Sequence, residues 1–97
     1  MNTMTPMISV EAVPTHRGWE CQVEVTEGGG SSRHQVRLSQ DDLERWGQAA
    51  TETPESLVGR AFQFLLAREP AAQILKTFEL ADIQRYFPEF DEEIRER

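Results

Sequence analysis

Three runs near the start of the chain alternate apolar and polar residues, the two-residue period of a strand with one covered face. In Met7 to Val13, Ile8, Val10 and Ala12 share one side and Ser9 and Glu11 the other. In Trp19 to Thr26, Trp19, Cys21, Val23 and Val25 oppose Glu20, Gln22 and Glu24. In Arg33 to Leu38, His34, Val36 and Leu38 oppose Arg33, Gln35 and Arg37. Pro14 to Gly18 makes a turn, and Glu27 to Ser32, EGGGSS, a loop. The charges choose a register for the second and third runs. Glu24 opposite Arg33 brings Glu20 opposite Arg37 and Gln22 opposite Gln35, with Trp19, Cys21 and Val23 facing Leu38, Val36 and His34. A one-residue slip would invert the faces. The pattern predicts an antiparallel meander of three strands with one polar, solvated face.

After Leu38 the period lengthens. Ser39, with Asp42 three positions on, approximates a capping box and starts a short helix from Gln40 to Gln48, with Leu43 and Trp46 inward. Thr53 is a cap, Pro54 suits the first helical position, and Glu55 sits in the positive first turn. Leu57, Val58, Ala61, Phe62, Phe64, Leu65 and Leu66 then cover roughly 200° of a helix, which marks it as central and packed on two sides. Gly59, Arg60 and Gln63 hold the remaining face. Pro70 ends that helix. Ala71 to Thr77 reads as a short helix with Ile74 and Leu75 inward, broken at Phe78 or Glu79. Leu80 to Phe87 reads as another, ended by Pro88, and residues 88–95 as a last acidic turn or two tethered by Phe90 and Ile94. The expected fold is one α+β domain over residues 1–97, a three-stranded antiparallel meander followed by four or five short helices packed on one sheet face.

The run FQFLLAREP, then IL, FEL and RYFPEF, resembles a group of small prokaryotic proteins of uncharacterised function. They share a strand-rich front and this helical end. The resemblance covers roughly the last 40 residues and implies a single compact domain; it carries over no functional residue.

The net charge is −7, from 17 acidic and 10 basic residues, which disfavours nucleic acid and anionic membranes as partners. The single Cys21 excludes an internal disulfide and fits a reducing compartment. The start, MNTMTPM, lacks a basic segment followed by an apolar run, and no apolar run approaches the ~20 residues that span a bilayer, so a cytoplasmic protein is expected.

Candidate chemistry is sparse. Cys21 and His34 fall on one face as diagonal neighbours, and such a pair can act as nucleophile and base. No orienting acid or oxyanion donor accompanies them, and a buried small hydrophobe is the ordinary role of such a cysteine. Gly28 to Gly30 is followed by a strand and no Lys, which a phosphate loop would need. Asp91, Glu92 and Glu93 lack the spacing of a calcium loop, and two His with one Cys make no zinc site, so no metal, cofactor or small-molecule ligand is expected. Residues 54–87, read as three helices, could form a helix-turn-helix with Leu80 to Phe87 as the reading helix. Glu79 at its start and Asp82, Gln84 and Arg85 along it are electrostatically wrong for DNA.

The remaining reading is a small acidic module for protein–protein interaction or oligomerisation, of the antitoxin, adaptor or regulator kind, without enzymatic activity. A DNA-binding regulator is the alternative, and a Cys/His enzyme a third reading. The first strand has one charge, Glu11, and no interior Pro, so it is a weakly defended edge, and a homodimer or a hetero-complex is expected. The helical part is rich in aromatic side chains. Tyr86, Phe87, Phe90 and Ile94 are the candidate interface, unless the tail folds back over the rings.

Overall fold

Residues 6–48 and 51–96 are described by the computed structural model, which is built outward from a hairpin. Gly28 and Gly29 have φ of 59° and 87°, the two left-handed residues that a tight two-residue turn between twisted strands requires. Strand β2 (Gly18–Glu27) therefore runs directly into β3 (Gly30–Ser39), with Glu27 paired to Gly30. The expected six-residue loop is a two-residue turn, and Gly30, Ser31 and Ser32 belong to the strand. The register is the one the charges chose: Glu24 faces Arg33, Gln22 faces Gln35 and Glu20 faces Arg37. Both ion pairs are 3.8 Å apart, and the arginine side chains are 85% and 61% exposed, so each stabilises little. What holds the register is the other face, where Cys21, Val23, Val25, Val36 and Leu38 are buried. β1 (Met7–Pro14) pairs antiparallel with β2, from Met7 opposite Thr26 to Pro14 opposite Trp19.

A fourth strand corrects the expected meander. β4 (Thr77–Glu79) lies parallel to β3, with Phe78 opposite Val36, giving a mixed sheet in the order β1-β2-β3-β4. The helix expected over Ala71 to Thr77 is a single 3-10 turn, Ala71–Gln73, after which Ile74 is already extended with ψ 135°. The outer edge of β3 carries free backbone groups, and the following segment satisfies them: the Gln35 N–H donates to the Lys76 carbonyl at 2.7 Å and the Leu80 N–H to the Arg37 carbonyl at 2.8 Å. In this path the Phe78 ring turns inward, 6.0 Å from Phe62, and Leu75 turns out.

The described residues form four α-helices. α1 (Gln40–Trp46) begins with the expected capping box: the Asp42 N–H donates to Ser39 Oγ at 3.0 Å, and the Ser39 N–H to Asp42 Oδ2 at 3.0 Å. α2 (Pro54–Leu66) starts at Thr53, whose hydroxyl accepts from the Ser56 N–H. Its apolar side chains bury in two directions. Phe62 reaches the sheet, 5.3 Å from the His34 ring, while Phe64 meets Phe87 and Phe90 at 5.9 and 5.1 Å. α3 is Asp82–Tyr86 and α4 is Phe90–Glu96. Residues 54–87 thus run helix, 3-10 turn, strand, short helix, and the three-helix succession of a helix-turn-helix is not formed. Among the described residues no helix is long and apolar enough to cross a membrane.

The helical layer is locked by two arginines. Arg60 lies on the α2 face the pattern reads as polar, yet its side chain is 14% exposed and that of its partner Glu52 is 7% exposed. Arg60 donates to both Glu52 oxygens, to the Trp46 carbonyl and to the Ile94 carbonyl, joining α1, α2 and α4. Arg68, just beyond α2, lies 3.6 Å over the Phe64 ring and bonds Glu89 and Glu93, which pins the start of α4.

Burial by itself pushes the Glu52 carboxyl up. Hydrogen bonds from Arg60, the Gln48 N–H and the Ser56 hydroxyl outweigh it and hold the group down at about 2. Its contribution to stability is therefore present above the ordinary value of 4.5 and is lost as pH falls towards about 2. Glu52→Gln is expected to destabilise the fold at neutral pH. Its deficit in urea-unfolding free energy should shrink by on the order of 2 kcal/mol as pH falls through that window. A deficit that stays constant across it contradicts the assignment.

Candidate functional site

The distinctive surface lies where the chain changes direction after α2. Ala67 to Glu69 wind off the helix, Pro70 blocks its continuation, and the chain turns through Ala71–Gln73 into β4 before α3 returns. α3 has only five residues and does not fill the angle between β4 and the end of α2. The result is an open cleft of about 450 Å³. Its floor is apolar, formed by the buried side chains of Leu65, Ile74, Phe78 and Ile83. Its rim carries two large apolar side chains in water, Leu75 at 54% and Tyr86 at 68% exposed. Phe87, half-buried, closes the side towards α4.

The charged residues of the lining are both acidic, Glu69 and Asp82. Asp82 opens α3; its carboxylate accepts from the Glu79 N–H just before the helix at 3.1 Å, and it pairs with the exposed Arg85 at 3.3 Å. No cation pairs with Glu69 among the described residues. Chemically the cleft offers an apolar floor for a side chain and carboxylates for a neighbouring positive charge.

Of the four candidate interface residues, Tyr86 and Phe87 line this cleft and Phe90 and Ile94 do not. Phe90 and Ile94 are fully buried. The Phe90 ring packs 5.4 Å from Trp46, and the indole N–H of Trp46 donates to Asp91 at 2.9 Å. The tail folds back over part of the patch, which narrows to the cleft side of α3. Leu75, the other rim residue, carried no signal, because the helical reading turned it inward. The acidic run Asp91, Glu92 and Glu93 forms the first turn of α4, where carboxylates complement the helix dipole.

Cys21 and His34 are diagonal neighbours on adjacent strands, as the register requires, but each is otherwise engaged. His34 Nδ1 lies 2.8 Å from the Leu75 carbonyl. A carbonyl only accepts, so Nδ1 carries the proton, and Nε2 faces the Ser32 hydroxyl at 2.8 Å. His34 thereby holds the segment leading into β4. Burial and the nearby Glu55 charge push the Cys21 thiol up to about 11. Among the described residues no group of three or more His, Cys, Asp or Glu side chains is arranged to hold a metal ion.

With its thiolate so disfavoured, Cys21 is expected to react with iodoacetamide at neutral pH at least about a hundredfold more slowly in the native protein than in the urea-unfolded chain. Labelling at comparable rates in the two states contradicts this environment.

No family model matches the chain, and no curated protein or solved structure proves similar to it, so what the cleft does has to come from its own residues.

Proposed function

We propose that the chain is a protein–protein interaction module whose working surface is the cleft between the 71–78 segment and α3. The observation that carries this reading is the pairing of an apolar hollow of about 450 Å³ with large apolar side chains left in water on its rim. An exposed aromatic beside a buried apolar floor is the arrangement of an anchor pocket at an interface. Leu75 and Tyr86 extend the apolar surface beyond the hollow, which suits a peptide segment lying across the rim. Few polar groups converge inside, where a small polar ligand would need them. The partner segment carries an aliphatic or aromatic anchor with Lys or Arg beside it, to meet Glu69 and Asp82; the net charge of −7 favours the same partner at longer range. A cytoplasmic setting goes with this reading, because a reducing compartment keeps the free thiol of Cys21 reduced. No catalytic role is part of it.

A displayed library of random dodecapeptides, selected on the purified protein, tests the reading. Enriched peptides are expected to contain an apolar anchor flanked by basic residues and to shift the amide resonances of β4 and α3. Tyr86→Ala is expected to weaken such a peptide about tenfold or more, and Glu69→Lys to weaken basic peptides selectively. Tyr86 is 68% exposed, so its truncation leaves the fold intact. Failure to enrich any peptide, or enriched peptides that shift resonances elsewhere and ignore Tyr86→Ala, overturns the proposal.

A further inference from the structure

The opposite end of the sheet supports an inference independent of the cleft. β1 is an edge strand of eight residues, and its hydrogen bonding defines which backbone groups are free. In the turn to β2, the Thr15 N–H donates to the Gly18 carbonyl at 2.8 Å. Bonded and non-bonded pairs alternate along an antiparallel ladder, so Val13, Glu11, Ser9 and Met7 bond to β2. Ile8, Val10 and Ala12 then turn their N–H and C=O groups outward. Pro6 and Pro14 occupy the next two outward positions and have no N–H to offer. Among the described residues the free edge is therefore a row of three donor–acceptor residues bracketed by prolines.

We infer that a second copy of this chain occupies the edge, pairing β1 antiparallel with β1 about a twofold axis at Val10. That register matches every free donor and acceptor: Val10 pairs with Val10 of the partner copy, and Ile8 with Ala12, two bonds per pair. It sets the two prolines opposite each other, where neither needs a partner. On the outer face it brings together Met7 and Val13, which are 72% and 51% exposed in the single chain. It sets Ser9 opposite Glu11, whereas a two-residue slip in one direction would oppose Glu11 to its own copy. On the inner face Ile8, Val10 and Ala12, each only half-covered, meet their counterparts. α2 packs mainly on β1, so its two copies approach each other beneath the joined sheet.

Sedimentation equilibrium at concentrations up to the millimolar range tests the inference, with the exposed Met7–Val13 contact as the handle. The parent chain is expected to form a dimer, with the amides of Ile8, Val10 and Ala12 exchanging more slowly as concentration rises. Met7→Lys with Val13→Lys places like charges opposite each other and is expected to weaken the dimer at least about tenfold. Met7→Lys with Val13→Glu places opposite charges there and is expected to retain it within about threefold. Both pairs alter only exposed positions, so circular dichroism should match between them, as should the melting temperature at concentrations low enough to keep both monomeric. A parent chain that stays monomeric, or a dimer to which the two double variants are indifferent, overturns the inference. The second outcome would assign self-association to another surface and leave the peptide-binding reading of the cleft to its own test.

Discussion

A helix that is apolar through about 200° needs two walls, and a small sheet supplies one. α2 is that helix, and its demand for a second wall organises the rest of the chain. Phe62 and its neighbours are met by the inner face of the sheet, with the Phe62 ring against His34 of β3. Phe64 points away from the sheet and is met by Phe87 and Phe90, delivered by the segment that follows. That segment has to leave α2, pass the far edge of the sheet and return. β4 is how it passes, satisfying the outer backbone groups of β3 on the way, and α4 is how it closes. Arg60 and Arg68 then fix the second wall in place. Arg60 does so from a buried position, where removing its partner would strand a charge, at a cost of roughly 3–5 kcal/mol.

The part of the architecture legible in the sequence is the part with local signals. Alternation gave the three long strands, and opposite charges gave the register of β2 against β3, although those exposed pairs report the register more than they hold it. Ser39, Asp42, Thr53 and Pro54 marked both helix starts through capping chemistry that lies within four residues. β4 had no such signal. A three-residue strand is too short to show a period, and its parallel partner lies about forty residues earlier, so the apolar Ile74 and Leu75 read equally as helix. Arg60 escaped because a charged residue on the non-apolar arc of a helix is ordinarily solvated; only the folded tail buries it.

The candidate site was half legible for the same reason. The excess of aromatic side chains over what one sheet face can cover was visible, and it pointed to Tyr86 and Phe87, which line the cleft. It also pointed to Phe90 and Ile94, and whether an acidic tail folds back is a tertiary question. Trp46, Arg68 and Glu93 decide it in favour of burial. The cleft itself follows from α3 having only five residues, a boundary that periodicity leaves uncertain by more than its own consequence.

The two layers that share α2 are unequally held, and the cleft is built on the weaker. β2 pairs with β3 over ten residues and with β1 over eight, whereas β4 is held by three paired residues and its two flanking backbone bonds. Binding surfaces that adapt to a partner are drawn from such regions. Native-state amide hydrogen exchange, followed residue by residue in increasing urea, tests this most directly. Amides of β4 and α3 are expected to exchange together through a sub-global opening. Those of β2, β3 and α2 should exchange only through complete unfolding. A single opening free energy shared by β4, α3 and the β2–β3 hairpin would contradict it.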